Sequence, residues 1–162
     1  MAITDTTVYQ TVMSGIPRLV VDYAKPLETM IAAGNFERAS AGITPNRFRI
    51  TGEDTVEFEI CLFHFSRMTT FFAVVRAVEA YDKDNPWSLG KIEHLLSLAT
   101  PYSQGQCVQQ IFAPGSVATV SGNRCVSALR KYGTGVHLEL RIIETKIAYW
   151  HHFLAVREVS TV

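Results

Sequence analysis

Ile147-Ala-Tyr-Trp-His-His-Phe-Leu-Ala-Val-Arg-Glu-Val159 is the stretch on which the reading of this fold turns. Its aromatic and β-branched residues suit a long strand. Neighbouring side chains of a strand point to opposite faces, so His151 and His152 look in opposite directions. One faces the apolar layer and the other faces outward. The preceding run Val136–Ile143 also alternates, and Glu144-Thr-Lys146 between them is a short connection. Short connections join antiparallel neighbours, because a parallel neighbour needs a crossover of about a dozen residues or more. With Thr145 at the centre of the turn, Glu139 opposes His151 and Arg141 opposes Tyr149, with His137 diagonal to His151. The other face then carries Leu138, Leu140 and Ile142 with Ala148, Trp150, His152, Leu154 and Val156. Slipping the pairing by one residue would mix polar with apolar, so hydrophobicity favours this register.

Working back from that hairpin, further strands are expected at Val108–Phe112, Ser116–Val120 and Arg124–Leu129, joined by short turns at Ser121-Gly-Asn123 and Gly133-Thr-Gly135. Thr55 to Phe65 is the clearest strand of the first half. Val56, Phe58, Ile60 and Leu62 fall on one face, and Glu57, Glu59 and Cys61 on the other. A short helix is expected over Pro26 to Ala33. Pro26 suits its first turn, Leu27, Met30 and Ile31 form its stripe, and Gly34 suits a left-handed cap. Segment 35–50 reads as irregular around Thr44-Pro-Asn46. Thr69 or Thr70 can cap a helix with Phe71, Val74, Val75 and Val78 facing the core. After the loop Asp82-Lys-Asp-Asn-Pro86, Ser88 is expected to cap a helix closed by Pro101, with Leu89, Ile92, Leu95, Leu96 and Ala99 facing inward. Helices early and a meander late give an α+β class, with helices packed on a mostly antiparallel C-terminal sheet. Residues 1–25 read as an N-terminal arm or extension, and residues 26–162 as a single domain.

Composition bounds the function. Lys plus Arg and Asp plus Glu are 15 each, so no global field steers the chain onto nucleic acid or anionic lipid. A net charge near zero favours self-association, and a protein partner or a second copy is therefore expected. Leu19-Val20-Val21 is too short to span a membrane. The N-terminus has no basic segment followed by an apolar run. The cysteines Cys61, Cys107 and Cys125 are odd in number and widely spaced, which suits a reducing, cytoplasmic setting and not a zinc knuckle.

Six phrases occur in a telling order: Ile31-Ala-Ala-Gly-Asn-Phe36 with Ile43-Thr-Pro45, Leu62-Phe-His-Phe65, Ile92-Glu-His-Leu-Leu96, Ala113-Pro-Gly-Ser-Val117 and Phe153-Leu-Ala-Val-Arg157. On these the chain resembles a group of small uncharacterised bacterial proteins, over about residues 27–158. In that group an LFHF strand precedes two helices and the chain closes on an RFLAVR-like strand. No activity is established for it, so the resemblance implies architecture and no catalytic residues. This chain departs from the pattern at Ala113-Pro-Gly115, where an aliphatic strand phrase is expected. The order of strand, helix, helix and irregular sheet is also similar to the C-type-lectin-like fold, and a fold likeness does not fix function.

The sharpest chemical reading makes His137, Glu139 and His151, with Tyr149 and Arg141 beside them, a metal or acid/base cluster. Two imidazoles and a carboxylate can hold Zn²⁺ and leave a position open. The plainer reading is a solvated outer face, which antiparallel sheets normally carry. His152 reads as a core histidine bonded to a backbone carbonyl or a buried polar group. His64, at a strand end, is the other candidate. A Cys–His pair of Cys107 or Cys125 with His64 or His94 would need a thiolate, and nothing in the sequence brings such a pair together. Gly133-Thr-Gly135 is no phosphate loop, and Gly115-Ser-Val117 is no nucleophile elbow. Arg124, Arg130 and Lys131 with Tyr132 could form a small basic-aromatic patch. Phe63, Phe65, Phe71 and Phe72 crowd one junction, as a core corner or a partner surface. The expectation is a non-catalytic binding or assembly module needing no cofactor. The alternative is a small metal-dependent or histidine-using, hydrolase-like enzyme on the polar face, with Zn²⁺ as its metal.

Overall fold

A computed structural model describes residues 8–11, 18–65, 69–103, 110–143 and 151–159. Along the chain these form β1 (Val8–Thr11), β2 (Leu19–Asp22), α1 (Leu27–Ala33), β3 (Arg38–Ala39), β4 (Thr55–Phe65) and α2 (Phe71–Ala80). There follow β5 (Ser88–Leu89), α3 (Ile92–Ser103), β6 (Gln110–Val120), β7 (Asn123–Tyr132), β8 (Gly135–Ile142) and β9 (His152–Glu158). The strands make one mostly antiparallel sheet in the order β1-β4-β9-β6-β7-β8-β3, with β2 also on β4 and β5 also on β9. The fold is α+β. Among the described residues no helix is long and apolar enough to cross a membrane.

The meander β6–β7–β8 forms as its short turns require, with Ala128 opposite Glu139 and Val126 opposite Arg141. The terminal hairpin does not. β9 leaves β8 and inserts between β4 and β6, antiparallel to β4 and parallel to β6. Glu139 therefore faces Ala128 instead of His151, and Arg141 faces Val126. Tyr149 and Trp150 lie outside the described residues, as do Cys107 and Val108. The physical reason is in the burial. Phe153, Leu154, Ala155 and Val156 are buried in succession. A strand with both faces covered belongs in the middle of a sheet, and a hairpin edge cannot supply two covers.

Each face of the sheet has its own core. On one, Ile60 and Leu62 of β4 and Leu154 and Val156 of β9 join Ile92, Leu95 and Leu98 of α3 and Leu27 and Met30 of α1. On the other, Phe63, Phe65, Phe153 and Ala155 join Val74 and Val78 of α2 and Trp87. The segment expected to be an arm contributes β1 and β2, both bonded to β4, and β2 buries Leu19 and Val21. The phenylalanine junction is a core corner for Phe63, Phe65 and Phe71, whereas Phe72 is 67% exposed.

Local details depart from expectation where distant groups intervene. Thr70 caps α2, accepting from the Ala73 N–H at 3.2 Å. Pro26 stands at the cap of α1 rather than inside it, and Gly34 has φ −71°, with the left-handed turn taken by Asn35 at φ 51°. Arg38–Ala39 makes a parallel strand within the segment expected to be irregular. Ser88 and Leu89 pair with β9 instead of starting α3. The helix starts at Ile92, whose N–H is received by Ser116 Oγ at 2.9 Å, and it continues through Pro101 to Ser103. Ser116 reaches it because Ala113-Pro-Gly-Ser-Val117 is a wide bulge in one continuous strand, which was expected as two strands. The bulge is clamped by Gly115 N–H to Gly90 O at 2.7 Å, and a Cβ on Gly115 would sit 2.6 Å from Leu89 O.

Candidate functional site

β8 alternates Val136, Leu138 and Leu140 toward α3 with His137, Glu139 and Arg141 toward the other face. On that second face His137, Glu139 and Arg141 are half-buried. Here Tyr132 organises its neighbours. Its hydroxyl donates to Glu139 Oε1 at 3.2 Å, its ring lies 4.3 Å from that of His137, and the Arg130 guanidinium sits 4.6 Å above it. Arg141 approaches Glu139 at 3.7 Å, and His137 approaches Glu37 at 3.8 Å. β3 brings Arg38 into register with His137. The result is an open cavity of about 480 Å³ lined by Arg38, Ser40, Tyr132, His137, Glu139 and Arg141, with the flanking residues Ala39, Leu138 and Leu140.

The expected residues separate into two groups. His137, Glu139 and Arg141 share the cleft, through alternation within a single strand. His151 looks to the same face but stands just before β9, a strand separated from β8 by β6 and β7. Its ring packs against Phe112 at 4.9 Å. Burial, then the charges of Arg141 and Arg130, hold its pKa below the ordinary imidazole range. Among the described residues no three His, Cys, Asp or Glu side chains form a group that could hold a metal ion. Of the basic-aromatic patch, Arg130 joins Tyr132, while Lys131 turns to the ring of Tyr102 at 5.4 Å. Cys61 and Cys125 are buried.

Two features escaped the sequence reading. His64 and His152 meet across β4 and β9, with ring centroids 4.8 Å apart. The wrong partner for β9 concealed this pair. The second is on α3, where Glu93 and His94 are 1% and 4% exposed. Burial raises the Glu93 carboxyl, and it lowers His94 to about 4, helped by Lys91. Burial also pushes the Tyr23 phenol up to about 12, with Glu93 and Glu158 acting in the same sense. His94 Nδ1 accepts the Lys91 N–H at 2.9 Å, so this histidine closes the start of its own helix. The signal was its place three residues into a helix whose start had been put too early.

Comparison with protein-family models, with curated proteins and with solved structures gives no match.

Proposed function

We propose that this chain is a non-catalytic binding module whose ligand is a small oxyanion, a phosphate or a carboxylate, taken into the cleft beside β8. The observation that carries this reading is the local charge. Arg38 and Arg141 line one cavity, with Arg130 on the same face. Against these three guanidinium groups stand the carboxylates of Glu139 and Glu37. Glu139 is engaged by Tyr132 and Arg141, and Glu37 lies beside His137. Arg38 has no carboxylate partner among the described residues. A planar guanidinium fork matches an oxyanion with two parallel hydrogen bonds, and the Tyr132 hydroxyl and the His137 ring add polar contacts at the wall. The chain as a whole is neutral, but the cleft is not.

The competing reading, a small metal-dependent or histidine-using enzyme on this face, drew on His137, Glu139 and His151 together, and the separation of β8 from β9 by β6 and β7 opposes that grouping.

Calorimetric titration of the full chain with inorganic phosphate and, separately, with succinate tests the proposal. Saturable binding to at least one is expected, weakened about tenfold or more in Arg38→Ala and in Arg141→Ala, since a charged hydrogen bond contributes roughly 1.5–3 kcal/mol. Arg49→Ala, outside the cleft, should bind as the unaltered chain does. No saturable heat with either anion, or equal binding in Arg38→Ala, would sink it.

A further inference from the structure

The antiparallel register of β4 and β9 pairs Phe63 with Phe153. The next pair in that register is His64 with His152, on the face that also carries Leu62 and Leu154. Directly opposed residues of an antiparallel pair have Cβ atoms roughly 4.5–5.5 Å apart, close enough for two imidazoles to share one small ligand. We propose that His64 and His152 are a two-imidazole site for a divalent transition-metal ion of the zinc and copper class, with water completing its coordination.

Two observations support this. Two imidazoles bound to one ion at about 2.0–2.1 Å, at an angle between square and tetrahedral, hold their centroids about 4.5–5.2 Å apart. The observed 4.8 Å separation falls within that interval. Both side chains are half-buried, so the rings are fixed on the backbone of a central strand pair while one side stays open to water. Each ring has two nitrogens, so one can bind metal while the other keeps a hydrogen bond that orients it. Imidazole donors favour copper(II), zinc(II) and nickel(II) over calcium or magnesium.

This site is separate from the cleft beside β8, and it stands or falls independently of the anion proposal. The test is calorimetric titration of the full chain with Zn²⁺ and, in parallel, with Cu²⁺ followed by electron paramagnetic resonance. One ion per chain is expected, with two nitrogen couplings in the copper spectrum. His64→Ala and His152→Ala should each weaken binding about tenfold or more. His151→Ala, one residue along and facing the other way, should leave the titration unchanged. If a variant melts early, His64→Asn is compared with the unaltered chain, where zinc should raise the melting temperature of the latter alone. Binding that survives His64→Ala, an equal loss in His151→Ala, or no binding at all would overturn the proposal.

Discussion

β8 and β9 are strands of similar length in one sheet, built on opposite plans. β8 alternates, with buried Val136 and Leu138 set between half-buried His137 and Glu139. Its inner row packs under α3, while its outer row carries charge into an accessible cleft. β9 does not alternate over Phe153-Leu-Ala-Val156, and both of its faces are apolar and covered. The first strand can bind something because half of it is left uncovered. The second holds the molecule together, sharing one core with α3 and another with α2. The difference follows from position: β9 has β4 on one side and β6 and β5 on the other, whereas β8 stands next to the two-residue strand β3.

The strongest way to break this contrast is to truncate one residue in each strand. Phe153→Ala should cost about 3–5 kcal/mol, since it empties a fully buried site in the core shared with α2. Leu140→Ala, at a half-buried position of β8, should cost only about 1–2 kcal/mol, below the range for fully buried leucine. Urea unfolding of both variants measures the difference. Equal losses would mean that β9 is no more central to stability than β8.

Acid sharpens the contrast from the helix side. His94 packs edge-on against Phe58 at 4.4 Å beneath the core that α3 shares with β9. Its folded pKa of about 4 lies below its ordinary value of 6.5. Between these values the unfolded chain takes up a proton that the folded chain refuses. The stabilisation from neutral His94 is therefore complete above about pH 6.5 and is lost as the pH falls towards about 4. The loss is on the order of 3 kcal/mol, from roughly 1.4 kcal/mol per pKa unit. Glu93, raised by the same burial, works in the opposite sense: its contribution is present at low pH and is lost as pH rises through its raised pKa. The measurement is thus a difference: His94→Gln, whose amide oxygen can still accept the Lys91 N–H, should flatten stability against pH between about 6.5 and 4. An unchanged slope would remove His94 from the account.

The smallest effect concerns the seam between the two strands' neighbourhoods. Ser116→Ala removes the acceptor for Ile92 N–H and should cost about 1 kcal/mol, as loss of a helix cap does. Thermal unfolding at fixed pH checks it. Loss of amide protection in the first turn of α3, before β8 or β9 is affected, would place the effect at the seam.

Local elements were legible to the residue or nearly so. β4 runs over Thr55–Phe65 as alternation implies, Thr70 caps α2, and β6, β7 and β8 follow one another through short turns. Half of the candidate site was legible too, because His137, Glu139 and Arg141 are brought to one face by alternation within a single strand. The other contributors were not. Arg38 arrives through a two-residue strand too short for any periodicity, and His152 meets His64 only because β9 crosses over to β4. Yet the run Phe153-Leu-Ala-Val156 already carried the mark of a central strand, since an unbroken apolar run signals cover on both faces. Reading His151 and His152 as the outer and inner sides of a hairpin gave their opposite directions correctly, but both sides of β9 are covered and its neighbours are other strands.

What the sequence determined alone was the existence of the longer strands β4, β7, β8 and β9 and of the three helices, the alternation of faces along those strands, and the turns short enough to leave a single geometry. These depend on periods of two and 3.6 residues and on steric limits within a few positions. The tertiary structure alone decided the partner of β9, the distant serine that starts α3, and the arginine that completes the cleft. Each of those pairs groups far apart along the chain, and the choice is set by which arrangement covers both faces of an apolar strand at once, a quantity that no local stretch contains.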